Sequence, residues 1–182
     1  MIIDIYMPTY HLDFAGYALN LLGFDQEERS GIKDLIESRL ATDSRRHDEV
    51  KIVISDIALA ETITKVYDSL NTQGRITGFS DYLYKLYKIL SRLNPNYLPV
   101  KHEAIKVYNF LAEDGFLLEK LGPHDLLILS QAIADKDSDY LFTIDNSLLT
   151  NFYNKTVHDA LENFHSENKL RIGSIKIESE PR

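Results

Sequence analysis

Short β-branched, apolar runs that alternate with stretches of helical spacing limit what this chain can fold into. Lys51-Ile52-Val53-Ile54-Ser55 and Tyr140-Leu141-Phe142-Thr143-Ile144 are almost wholly apolar instead of alternating apolar with polar. That is the pattern of strands buried on both faces of a parallel sheet. Parallel neighbours need crossovers of about a dozen residues or more, and segments with helical periodicity stand between the runs. They comprise residues 57–70, the stripe Tyr82, Leu83, Leu86, Ile89, Leu90 and Leu93, the face Ala104, Val107, Tyr108 and Leu111, residues 126–134, and Val157, Leu161 and Phe164. The expected fold class is α/β, a three-layer sandwich with a mostly parallel central sheet. A single domain is expected over residues 1–178, with 179–182 as a frayed tail.

Further elements follow from local signals. Met1-Ile2-Ile3-Asp4-Ile5-Tyr6 reads as a strand with Asp4 near its end, and Pro8 as a turn or the first turn of a helix. Two helices are expected between Phe14 and Leu40, then an exposed loop over 41–49 that carries Arg45, Arg46 and His47. Tyr97 to Val100 reads as a short strand, as does Leu170, Ile172, Ile175 and Ile177. Asn94-Pro95 and Gly122-Pro123 end or break helices.

In open parallel sheets ligands bind beyond the carboxyl ends of the strands, so acids at those ends stand out from the 28 Asp and Glu of the chain. Asp4, Asp145, Glu61 early in the helix after Ser55, and Asp125 at the start of the helix before Tyr140 can all face one sheet edge. Carboxylates gathered this closely repel one another and persist where a cation offsets the repulsion. Oxygen-only ligation suits Mg²⁺ or Mn²⁺. The absence of cysteine removes thiolate sites and cysteine nucleophiles and fits a cytoplasmic protein. No Lys or Arg precedes Arg29 and no apolar run reaches membrane-spanning length, so neither a targeting segment nor a membrane partner is expected. With a net charge of -8, a nucleic-acid partner would be held by local basic groups or bridging cations.

Ile3-Asp4-Ile5-Tyr6-Met7-Pro8-Thr9-Tyr10, Val53-Ile54-Ser55-Asp56-Ile57-Ala58-Leu59-Ala60-Glu61, Gly122-Pro123-His124-Asp125-Leu126-Leu127-Ile128-Leu129 and Phe142-Thr143-Ile144-Asp145 together resemble the PIN-domain family. The resemblance spans residues 2 to about 150. It implies a metal-dependent ribonuclease that cleaves single-stranded RNA, with Asp4, Glu61, Asp125 and Asp145 binding one or two Mg²⁺ or Mn²⁺ ions and Thr143 as a supporting hydroxyl. The implied reaction is hydrolysis by metal-activated water, leaving a 5′-phosphate and a 3′-hydroxyl. It also implies RNA as a partner; an antitoxin-like protein partner and a homo-oligomer are further candidates. The family follows its first Asp with Thr or Ser and then Asn, whereas Ile5 and Tyr6 follow Asp4 here. Asp13, in His11-Leu12-Asp13-Phe14-Ala15, is the alternative first acid; Asp4 is preferred because Pro8 and Tyr10 follow it as in some members.

Several residues also have plainer readings. Asp56 reads as a helix N-cap, Lys65 as the ion-pair partner of Glu61 one turn away, and His124 as a surface histidine. Lys85, Lys88 and Arg92 read as a solvated helix face, and the 11 Tyr as packing or oligomer contacts. Two other functional classes remain open: a catalytically degenerate PIN-fold interaction module, and a receiver-like phosphoacceptor domain in which Asp56 ends the strand Ile52-Val53-Ile54-Ser55. The chain has no Lys-Pro dipeptide of the kind that receiver domains carry.

Overall fold

The computed structural model describes residues 8–24, 51–165 and 170–174. The strand expected at 1–6, with Asp4, the second helix expected before Leu40, the basic loop 41–49 and the tail 179–182 lie outside them. Labels below run over the described elements.

Among the described residues five strands form one all-parallel sheet: β1 (Thr9–Leu12), β2 (Lys51–Ser55), β3 (Asn96–Leu98), β4 (Tyr140–Thr143) and β5 (Arg171–Ser174), in the order β3-β2-β1-β4-β5. Helices flank it: α1 (Phe14–Leu21), α2 (Asp56–Thr72), α3 (Phe79–Leu93), α4 (His102–Ala112), α5 (Gly115–Ala134), α6 (Asn146–Asn151) and α7 (Lys155–Phe164). The chain steps outward from β1 through β2 to β3, returns past β1 to β4, and continues to β5. Right-handed crossovers therefore send the helices of the two halves to opposite faces. Most helix contacts divide in the same way, α1 with α2 on one side and α4, α5 and α7 with one another on the other, while α2 and α5 also touch.

The α/β expectation thus holds, with the sheet wholly parallel. β2 and β4 are the apolar runs read from the sequence, and α3 spans the residues of its stripe. Ser55, rather than Asp56, caps α2: its Oγ accepts from the Ala58 amide at 3.1 Å, and Asp56 is exposed in the first turn. The sequence reading of Pro8 as a turn or the first turn of a helix is corrected. Pro8 directly precedes a strand, a position that its missing N–H tolerates, and its carbonyl accepts from the Lys51 amide. The strand is buried throughout, including Thr9 and His11. His11 can lie inside because its Nε2 meets the Asp135 carboxylate at 2.7 Å.

Two glycines shape the region where the helices meet the sheet. Gly122 adopts φ 74° and ψ 169° and breaks α5, so that Pro123 and Asp125 open a fresh helical segment. Gly16 in α1 sits against Ile144, and a Cβ at that position would overlap the Ile144 side chain. α1 thereby lies directly on the segment that follows β4. Phe14, Ile54, Leu126, Leu129 and Leu141 are fully buried in the core beneath.

Candidate active site

The reversal of winding between β1 and β4 is the topological switch point where such sheets bind ligands. Asp13 and Asp145 follow these two strands. The register Leu12↔Phe142 brings Asp13 abreast of Thr143, and the Asp13 amide donates to the Phe142 carbonyl at 2.8 Å. Asp13 is 7% exposed. The Thr143 hydroxyl donates to Asp13 Oδ2 at 2.7 Å and accepts from the Asp145 amide at 2.9 Å. A single hydroxyl thus ties the two strand ends together. Asp145 caps α6, its Oδ1 accepting from the amides of Ser147 at 2.6 Å and Leu148 at 3.1 Å.

Glu61 and Asp125 reach this edge from the two faces, on α2 and α5, which touch. Glu61 has a side chain only 10% exposed; its Oε1 lies 2.6 Å from Lys65 Nζ, and its Oε2 is buried with no hydrogen-bond partner. Asp125 is half-buried, and none of the hydrogen bonds among the described residues involves its side chain.

These groups act on one another electrically. Burial, then the negative charges of Asp145, Glu61 and Asp13, push the Asp125 carboxyl up to about 7, against an opposing pull from Lys65. Burial raises Asp13 to about 6, assisted by the charges of Glu61 and Asp145 and opposed by the Thr143 hydrogen bond and Lys65. Burial by itself would lower the Lys65 ammonium, but the Glu61 hydrogen bond and the charges of Glu61, Asp13 and Asp125 outweigh it and hold Lys65 above its usual value.

Glu61, Asp125 and Asp145 thus interact electrically with one another and with Asp13, and the Thr143 hydroxyl is bonded to Asp13 and to the Asp145 amide. Asp4 lies outside the described residues, and the acid at the end of β1 is Asp13. The signal for Asp13 was present in Thr9-Tyr10-His11-Leu12, but His11 and Pro8 obscured a strand that only the Asp135 pairing makes possible. Neither Phe14 nor Ala15, the residues after Asp13, supplies the small polar groups of the PIN pattern. Of the groups with plainer readings, Lys65 forms the helix ion pair and His124 is exposed. Lys85 and Lys88 lie 4.5 Å over the rings of Tyr82 and Tyr84.

An all-oxygen donor set with one orphaned buried oxygen and two acids held partly protonated fits a hard divalent cation. No three of these acids bring ligand atoms within 4.8 Å of one another; among the described residues only His158, Asp159 and Glu162 on α7 do so. That trio lies on one surface helix, and none of its atoms is among the buried unpartnered ones. Wider spacing at the sheet edge suits Mg²⁺, which keeps several waters and takes few carboxylates directly. Comparison with protein-family models, curated proteins and solved structures returned no match. No helix among the described residues is long and apolar enough to cross a membrane.

Thr143→Val tests the bridge. The substitution leaves the buried Asp13 carboxylate and the Asp145 amide without their shared partner, with an expected loss of about 1–3 kcal/mol of stability in urea unfolding. An unchanged midpoint would mean that water replaces the hydroxyl at no cost.

Proposed function

We propose that this chain is a PIN-type domain that hydrolyses phosphodiester bonds of single-stranded RNA, with Asp13, Glu61, Asp125 and Asp145 as the acids that hold Mg²⁺ or Mn²⁺. The observation that supports this reading is the mutual charge interaction of Asp13, Glu61, Asp125 and Asp145 beyond the ends of β1 and β4, with Glu61 Oε2 left unpartnered in a buried position. A bound divalent cation would polarise the phosphate and lower the pKa of attacking water. The protein supplies the frame: Thr143 fixes Asp13 relative to Asp145, the α6 cap orients Asp145, and the break at Gly122 turns Asp125 toward the edge. Asp125, partly exposed and held near 7, is the acid best placed to exchange a proton with solvent. Phe14 and Ala15 favour a second reading, a non-cleaving interaction module of the same fold, because small polar support beside the first acid is missing.

Incubation with single-stranded RNA decides between them. Cleavage with Mn²⁺ that stops in excess chelator supports the nuclease, and cleavage that survives chelator would sink it. No cleavage under either condition, with the fold intact, would favour the interaction module. Asp13→Asn should abolish cleavage while Asp4→Asn retains it; the reverse result would return the role to Asp4.

A further inference from the structure

In each of Asp13, Glu61 and Asp145 one carboxylate oxygen is already engaged within the protein. Asp13 Oδ2 accepts from Thr143, Asp145 Oδ1 accepts from the two α6 amides, and Glu61 Oε1 holds Lys65. Asp125 is the member whose two oxygens are both without a hydrogen bond among the described residues. Paired-cation sites place their ions about 3.5–4 Å apart, which calls for carboxylates that bridge through both oxygens, and Asp125 alone offers that. Glu61 Oε1 has the Lys65 ammonium on it instead. An ion there would also meet Lys65 as a like charge.

Lys65 is well placed for more than neutralisation. Its side chain is 48% exposed, and an ammonium has three donors, of which Glu61 Oε1 takes one. Lys65 also lines a cavity of about 340 Å³ together with Glu61, Asp68 and His124, near the lower end of the roughly 300–1,000 Å³ usual for ligand pockets. An anion entering that cavity meets the ammonium beside Glu61, the one proposed cation ligand that lines it.

We infer that Lys65 takes the place of a second cation, so that the site binds a single divalent ion and Lys65 presents the second positive charge to a phosphate of the substrate strand. This rests on the nuclease reading for the identity of the anion. Its first test needs no RNA.

Mn²⁺ is titrated calorimetrically into the full chain at pH 8 for wild type, Lys65→Arg and Lys65→Met. One equivalent is expected for wild type and for Lys65→Arg. Lys65→Met should bind its first Mn²⁺ roughly tenfold more tightly, because the like charge is gone, and should melt at a lower temperature than wild type in chelator, because the acids have lost their resident counter-ion. Two equivalents in wild type would overturn the inference and leave the cation site standing. No binding in wild type would overturn both. Unchanged affinity and chelator melting in Lys65→Met would reduce Lys65 to an ordinary surface ion pair. The phosphate contact is read separately, from the salt dependence of binding to a hydrolysis-resistant single-stranded RNA analogue. Lys65→Met should lower the slope of log affinity against log salt by about 0.7, the value for one phosphate contact on a single strand; an unchanged slope would overturn that part.

Discussion

Asp125→Asn is expected to lower the rate of RNA cleavage on the order of a hundredfold or more, with the fold intact. The size of the loss follows from position. Asp125 stands in the first turn after the Gly122 break, with neither oxygen in a hydrogen bond among the described residues, and feels the charges of Asp145, Glu61 and Asp13 together. Removing its charge deletes the one carboxylate among Asp13, Glu61, Asp125 and Asp145 with neither oxygen in a hydrogen bond among the described residues, and breaks no side-chain hydrogen bond there. Single-turnover rates of the variant and wild type at saturating Mn²⁺ measure it; equal rates would show that the reaction does not use Asp125. A pH dependence accompanies the effect. Cation ligands must be deprotonated, and in the metal-free protein Asp13 and Asp125 ionise near 6 and 7. Mn²⁺ affinity should therefore rise between pH 5.5 and 8, roughly the window set by those two groups, and then level off. A flat profile by calorimetry would mean that the acids are already ionised.

The second large effect is a reversal of stability order by the cation. Asp125 has a folded-state pKa raised from 3.8 to about 7, so the native state keeps a proton that the unfolded chain releases between those values. The sign follows by linkage: the stability this proton confers is present at low pH and is lost as pH rises through about 7. Above that, the ionised group burdens the native state with repulsion and desolvation. In chelator at pH 8, Asp125→Asn should melt above wild type although most substitutions destabilise, and near pH 4 the two should coincide. In chelator at pH 8, Asp145→Asn should likewise melt no lower than wild type, because it removes one of the charges that act on Asp125 while Asn retains the cap of α6. With Mn²⁺ the order should invert, since a ligand bound only to the native state adds about 2.7 kcal/mol at about a hundred times its dissociation constant, and the variants lose most of that gain. Thermal melts with chelator and with Mn²⁺ decide it. A variant that melts below wild type in chelator at pH 8 would mean the acids do not repel as described, and an equal response to Mn²⁺ would mean that the residue replaced is no ligand.

Much of this architecture was legible residue by residue. The apolar runs 51–55 and 140–144 require burial on both faces, and helical stripes between such runs leave a parallel sheet as the consistent arrangement. Gly122-Pro123 announced the break that frees Asp125, and Thr143-Ile144-Asp145 announced a strand end with a hydroxyl and an acid on it. Glu61 was legible for the same reason, as an acid early in a helix that leaves the sheet's carboxyl edge. Local sequence settles such features because apolar periodicity, glycine conformation and proline geometry act within a few residues.

Tertiary structure alone decided the rest. β1 contains a histidine that burial would exclude without Asp135, 124 positions away, so the local pattern left Asp13 as an alternative to Asp4 and could not identify Thr9–Leu12 as the central strand. The Thr143 bridge from Asp13 to Asp145, the orphaned oxygen of Glu61 and the raised pKa values of Asp13 and Asp125 likewise depend on chains packed from opposite faces of the sheet. Charge interactions of that kind are set by distance and burial in space, and neither is written in the spacing of residues along the chain. The sequence determined which acids could reach one sheet edge; packing at the β1–β4 switch point decided which ones meet there, and placed Lys65 among them.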